Sequence, residues 1–94
     1  MAYIPNYVSD NVSVINTATN AVVATIAVGN QPYGVSTSPD GSRVYVTNAV
    51  SNNVSVINTA TNAVVATIAV GNQPYGVSTS PDGSRVYVTN FGSD

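Results

Sequence analysis

The chain has 94 residues, 44% apolar and only 6% charged, with Arg43 and Arg85 set against Asp10, Asp40, Asp82 and Asp94. It contains no Cys, His, Trp, Lys, Glu or Leu, which excludes disulfides, thiolate metal sites and the commonest general base. A net charge of −2 and a pI near 4.3 offer no phosphate-neutralising surface, so nucleic acid is not an expected partner.

Length allows one small domain at most, with a modest core of its own. Most strong helix formers are missing, and Val, Thr, Ser and Asn dominate instead. Val and Thr favour strands, and Asn and Ser supply turns, so composition predicts an all-β chain. Met1 to Asp10 has neither a basic segment nor an apolar one, so it does not read as a signal peptide. The longest apolar run, Ala21 to Val28, is too short to span a bilayer, and no membrane insertion is expected.

In chain order, the first predicted strand is Ala2 to Asn6, followed by Asn11 to Asn16 and the apolar run Ala21 to Val28. Gly34 to Ser38 alternates and ends at Pro39-Asp40-Gly41-Ser42. In that turn Pro presets its φ, Asp caps through its side chain and Gly takes the left-handed position. Arg43 to Asn48 follows, with Val44 and Val46 on one face and Tyr45 and Thr47 on the other. Asn53 to Asn58 ends at the polar loop Thr59-Ala60-Thr61-Asn62, and Ala63 to Val70 ends at Gly71-Asn72-Gln73-Pro74. A final hairpin repeats the earlier one and ends with Arg85 to Asn90, for nine strands in all. The near-continuous apolar strand Ala63 to Val70 suits a sheet covered on both faces.

These elements are organised by a repeat. The stretch from Asn11 to Asn48 recurs letter for letter from Asn53 to Asn90, an offset of 42 residues, and the flanks keep the same period. Four short antiparallel strands per 42 residues match one blade of a β-propeller. The segments PYGVSTSPDGSRVYVTN and NVSVINTATNAVVATIAVG, with Tyr45-Val46-Thr47-Asn48 and Tyr87-Val88-Thr89-Asn90, resemble the YVTN repeat of archaeal cell-surface and surface-layer proteins. That resemblance covers essentially the whole chain and implies propeller blades, with the Pro-x-Gly-Val strand innermost and the Ala-Val-Val-Ala-Thr-Ile strand outermost. It also implies an extracellular setting. Identity between the copies departs from the drifted repeats usual in that family and implies a designed or consensus sequence, or a very recent duplication. A designed chain without an export signal is expected to be made in the cytoplasm of a recombinant host.

With strands lettered A to D outward from the hub, residues 1–30 supply B, C and D of a first blade. Residues 31–72 supply a complete blade, and 73–94 supply A and B of a further blade shared with a neighbouring chain. Propeller rings close when first and last segments share a blade, and bare edges and apolar faces are association sites. The expected partner is therefore the chain itself, in head-to-tail contact whose rotation must close. Rotation per blade is about 51° for seven blades, about 60° for six and about 45° for eight. Four chains with eight blades are accordingly preferred to three chains with six. The first and last B strands claim one slot. Pro5, standing where internal copies have Thr, removes a ladder donor, which leaves two expectations: a neighbour's C-terminal hairpin displaces the N-terminal segment, or the spare strand pairs between rings.

Little in the sequence suits catalysis, and no catalytic residue, metal site or cofactor is expected. Asp40 and Asp82 read as turn formers, with Arg43 and Arg85 folding back toward them as weak exposed pairs. Asp10 and Asp94 lie in B–C loops without the clustered carboxylates of a calcium site. The serines have no activating base. Asn11-Val12-Ser13 and Asn53-Val54-Ser55 match a glycosylation sequon, a match that arises by chance in a chain this rich in Asn and Ser. Tyr33 and Tyr75 fit either a channel mouth or blade-entry packing. Tyr7 and Phe91 occupy the slot that holds Ala49 internally. The expected oligomer contacts are Tyr3, Ile4, Tyr7, Tyr75, Val77, Val86, Val88 and Phe91. Function is expected to be that of a non-catalytic, self-assembling propeller module. The alternative is a cell-surface binding module presenting repeated loops to glycan or protein partners.

Overall fold

The computed structural model describes residues 1–91, and all its regular elements are strands. They are β1 Ala2–Asn6, β2 Asn11–Asn16, β3 Ala21–Ala27, β4 Pro32–Thr37, β5 Arg43–Asn48, β6 Asn53–Asn58, β7 Ala63–Ala69, β8 Pro74–Thr79 and β9 Val86–Asn90. They form three antiparallel sheets, β1-β2-β3, β4-β5-β6-β7 and β8-β9. The strand Pro32–Thr37 starts two residues before the predicted Gly34, since Pro is tolerated as the first residue of a strand. The sheets are blades: A strands β4 and β8 run close together, while D strands β3 and β7 barely meet. The blades therefore fan outward from a hub.

Strand register assigns every side chain to one of two blade faces. Tyr3 pairs with Val14, Val12 with Ile26, and Val14 with Ala24, which puts these residues on the face turned toward the second blade. Val44 pairs with Ile57 and Val46 with Ser55, on the face that the second blade returns. Tyr3, Val12, Val14, Ile26, Val44, Val46 and Ile57 form the core, which therefore lies between blades rather than within one. The expected split of Val44 and Val46 from Tyr45 and Thr47 holds, because Tyr45 and Thr47 pair with Val56 and Val54 on the opposite face.

One expectation about burial fails. β7 is exposed along its whole length and β3 is exposed apart from Ala24 and Ile26, although both strands are apolar. Outer strands of neighbouring blades barely meet, and β7 has behind it only the two-stranded β8-β9, so apolar composition there does not produce burial in the single chain. At the N-terminus β1 pairs with β2 over its full length, Ala2 with Ile15 through Asn6 with Asn11, and so fills the B position of the first blade in the single chain.

Turns follow local side-chain chemistry. At the A–B turn one Asp40 oxygen accepts from the Ser42 amide (3.0 Å), the Ser42 hydroxyl (2.8 Å) and the Ser38 hydroxyl (2.7 Å), while Gly41 takes φ 77°. Asp82 repeats this with Ser80 and Ser84. The Arg43 guanidinium donates instead to the Ser42 carbonyl (3.1 Å); serines already adjacent in the turn hold the carboxylate that Arg43 was expected to meet. Donation from the Ser42 amide, then from the Ser38 and Ser42 hydroxyls, holds the Asp40 pKa down at about 2. Asp82 is held at about 2 by the equivalent groups.

Two contacts tie the inner strands together. The Thr47 hydroxyl accepts from the Gly34 amide (2.8 Å) and donates to the Tyr75 carbonyl of the next blade (2.8 Å). Ser36 and Thr79 share a hydrogen bond of 2.9 Å across the same interface. A Cβ at Gly34 would overlap the Tyr75 carbonyl oxygen and press on Thr47 Oγ1, whereas one at Gly76 would meet the side chain of Thr89 alone.

Gly34→Ala is therefore expected to destabilise the chain by about 1–3 kcal/mol and Gly76→Ala by distinctly less, measured as urea unfolding midpoints. The two aspartates fix a pH dependence. Their pKa values fall on folding, so their contribution is complete above the ordinary carboxylate value of 3.8 and is lost as pH falls through about 2. Thermal midpoints recorded from pH 5 to pH 1.5 should fall across that window, and by less in Asp40→Asn/Asp82→Asn.

Candidate functional site

The chain carries its own control for what an uncovered blade face looks like. Ile26 and Ile68 occupy the same place in two blades, yet Ile26 is 6% exposed and Ile68 is 48% exposed. Ile26 faces a four-stranded sheet, and Ile68 faces the two-stranded β8-β9. A cleft of about 250 Å³ opens there, lined by Tyr45, Val54, Ile68, Val70, Val86 and Val88. The other open face is the front of the first blade, where Ile4 is 44% exposed although its counterpart Val46 is fully buried. Val22, opposite Ile15 in the same sheet, is exposed there too. The buried interface within the chain thus joins two surfaces whose counterparts at its two ends are open in part, at Ile4 and Val22 in front and at Ile68 behind, where Val54 and Val56 stay buried.

Polar side chains show the same asymmetry. Asn6 Nδ2 donates to Asn11 Oδ1 (2.7 Å) and Ser13 Oγ (2.8 Å), and Asn48 donates to Asn53 (2.8 Å) and Ser55 (2.9 Å). Each clasps its B strand to its C strand. Asn90 ends β9, which has no C strand beside it among the described residues and so no equivalent Asn–Ser pair to clasp.

Four of the seven aromatic rings form one row at the loop end of the blades. Tyr7 meets Tyr33 edge-on with centroids 6.1 Å apart, Tyr33 meets Tyr75 at 4.7 Å, and Tyr75 meets Phe91 at 5.6 Å. All three contacts are T-shaped, the arrangement that sets a ring's positive edge on its neighbour's negative face. Beside the row lie two clefts related by the repeat. One, of about 370 Å³, is bordered by Tyr7, Asp10 and Gln31, and the other, of about 430 Å³, by Ala49, Asn52 and Gln73. Asp10 and Asn52 are left-handed and accept from the Gln31 and Gln73 amides at 2.9 Å, which fixes those two glutamines in the same conformation.

The residues expected as oligomer contacts separate into groups. Tyr3 lies inside the chain, buried against the second blade with its hydroxyl donating to Asn62 Oδ1 (3.0 Å), and desolvation raises its pKa. It is consequently not a free surface in this fold. Ile4 lies on the open front face, and Val86 and Val88 line the rear cleft. Val77 pairs with Val88 in the last hairpin. Tyr7, Tyr75 and Phe91 belong to the aromatic row, with Phe91 73% exposed. Asp94 lies outside the described residues. Among the described residues no three His, Cys, Asp or Glu side chains gather as a metal-binding group. The hydroxyl latch of Thr47 and the asparagine clasp of Asn48 were not singled out from sequence. Their signal is a Gly and a Thr-Asn pair at constant spacing in both copies.

This geometry is shared with known propellers. The chain is similar to part of hydrazine synthase from Kuenenia stuttgartiensis, at 35% identity and a TM-score of 0.92 over 94% of its length. It also matches a functionally unknown protein from Desulfotomaculum acetoxidans (22% identity, TM-score 0.77, 89% of the chain). A third match is the dihydro-heme d1 dehydrogenase NirN in complex with DHE (22% identity, TM-score 0.82, 95% of the chain). The chain spans 25%, 29% and 19% of those three chains, and the two likenesses at 22% concern the fold alone. No curated protein matches it in sequence. With residues 1–94 matched in full by the family model, the chain belongs to the YNCE-like β-propeller family.

Proposed function

We propose that this chain is a structural, non-catalytic propeller module whose copies join head to tail into a closed ring. Four chains giving eight blades are preferred to three giving six. The observation that carries this reading is the pair of partly open faces, exposed at Ile68 behind and at Ile4 and Val22 in front. The rear face with Ile68 repeats the face on which Ile26 is buried, and the front face with Ile4, Ile15 and Val22 is the counterpart of the one that covers it. Apolar surface of this kind favours association, and each face has its complement on another copy. A scaffold role also agrees with the carboxylates of Asp40 and Asp82, which are occupied in turns. Likeness to a segment of hydrazine synthase brings the blade architecture and not that protein's chemistry, because fold alone does not carry activity. The YVTN resemblance favours a cell-surface setting, and the identity of the two copies favours an engineered or consensus origin.

A second reading, binding of a glycan or protein partner at the loop end, is favoured by the aromatic row, where Tyr7, Tyr33 and Phe91 are exposed. Under that reading Tyr33→Ala abolishes retention on a glycan array without changing the mass of the particle.

Light scattering should give four times the 9.6 kDa chain mass. Three times that mass would replace eight blades with six, and a monomer at every concentration would overturn the ring. Ile26→Ala and Ile68→Ala separate the interfaces further. The first should cost about 2–5 kcal/mol at any concentration, and the second should act chiefly by raising the concentration needed for assembly.

A further inference from the structure

The propeller-building reading leaves one slot with two claimants, since β1 and β9 are both B strands at the junction between copies. We infer that β9 of one copy takes the place of β1 beside β2 of the next, so that the ring is closed by strand exchange. This rests on the ring proposed above and goes further by naming the strand that gives way.

The last four residues of β9 have destinations fixed by the equivalent pair β5 and β6. Tyr45 pairs with Val56, Val46 with Ser55, Thr47 with Val54 and Asn48 with Asn53. The same register sets Tyr87 opposite Val14, Val88 opposite Ser13, Thr89 opposite Val12 and Asn90 opposite Asn11 of the second copy. Those four positions of β2 are now held by Tyr3, Ile4, Pro5 and Asn6. Tyr87, now exposed, would bring its hydroxyl to Asn62 as Tyr3 does. Asn90 would clasp Asn11 and Ser13 as Asn6 does, on the C strand that β9 lacks within its own chain.

Thr89 and Pro5 decide between the claimants. In the intact interface Thr47 accepts the Gly34 amide of its own blade and donates to the Tyr75 carbonyl of the next. Thr89 already accepts the Gly76 amide (3.0 Å), and in the ring it faces the Tyr33 carbonyl of the second copy in the same way. Pro5 has no hydroxyl for either bond and no amide hydrogen for the ladder. Retaining β1 beside β8 would cost the latch, whereas retaining β9 completes it. β1 is thus a placeholder on β2, covering Val12 and Val14 until a better-matched strand arrives.

The chain has no cysteine, so introduced pairs report pairing directly. Val88→Cys/Ser13→Cys places thiols on directly opposed residues across copies, a separation compatible with a disulfide. Ile4→Cys/Ser13→Cys places them across β1 and β2 of one chain. Exchange predicts that mild oxidation links most Val88→Cys/Ser13→Cys chains into disulfide-bonded multimers, while intrachain closure of the Ile4→Cys/Ser13→Cys pair falls at least tenfold on assembly. An oligomer whose Ile4→Cys/Ser13→Cys pair closes within the chain, with Val88→Cys/Ser13→Cys unlinked, overturns the exchange and leaves the ring standing. A monomeric native chain overturns both.

Discussion

Burial of one blade's rear face against the next blade's front face is the interaction on which the rest of this structure depends. Each blade is a single layer of short strands, and a single layer cannot bury anything within itself. The core sits between sheets for this reason, with Tyr3, Val12, Val14 and Ile26 from one blade meeting Val44, Val46 and Ile57 from another. A full aliphatic side chain taken from water contributes about 1.5–3 kcal/mol, so a blade with neighbours on both sides is stabilised far more than one at an open end. Stability here belongs to interfaces, as in other repeat architectures where each unit contacts only its neighbours. The inner strands add direction to that attraction. Thr47 reaches across to a backbone carbonyl, and Gly34 leaves room for the approach.

Strand positions were legible in the sequence because the signals that set them are local. Alternation in Arg43 to Asn48 and the Ser-Pro-Asp-Gly turn before it depend on residues within reach of one another. The two-faced character of that strand was equally readable. Whether a face is covered was not, since the distance of a strand from the hub is a property of the assembled blades. β7 shows this plainly, being apolar in sequence and exposed in place. The turn around Asp40 shows the opposite limit. Opposite charge suggested Arg43 as partner, but two serine hydroxyls and an amide lie closer and are fixed by the turn itself. The latch at Thr47 escaped notice because its acceptor, the Tyr75 carbonyl, is 28 positions away and carries no side-chain signature.

Chemical poverty and structural definition are two aspects of one design. The chain does without cysteine, histidine and lysine, and the carboxylates of Asp10, Asp40 and Asp82 are engaged in loops and turns. Asp10 and Asn52 tie loops to the crossovers between blades, and Asn6 and Asn48 join neighbouring strands. Polar groups therefore determine how strands meet, while apolar faces supply the attraction. Enzymes such as hydrazine synthase contain propeller segments of this architecture, so the blade is a frame that tolerates many uses.

Exact repetition carries a hazard that the aromatic row helps to resolve. Where two blades have the same sequence, one can fold in the other's place, and a chain slipped by 42 residues would keep nearly every strand contact. The slot occupied in turn by Tyr7, Ala49 and Phe91 is an exception. Tyr33 and Tyr75 touch at 4.7 Å beside the buried Ala49, and an aromatic ring shifted into that slot would have to force them apart. Tyr7 and Phe91 find room because each lies beyond one end of that pair. One methyl group among rings thus records which blade is the middle one and penalises the misaligned fold.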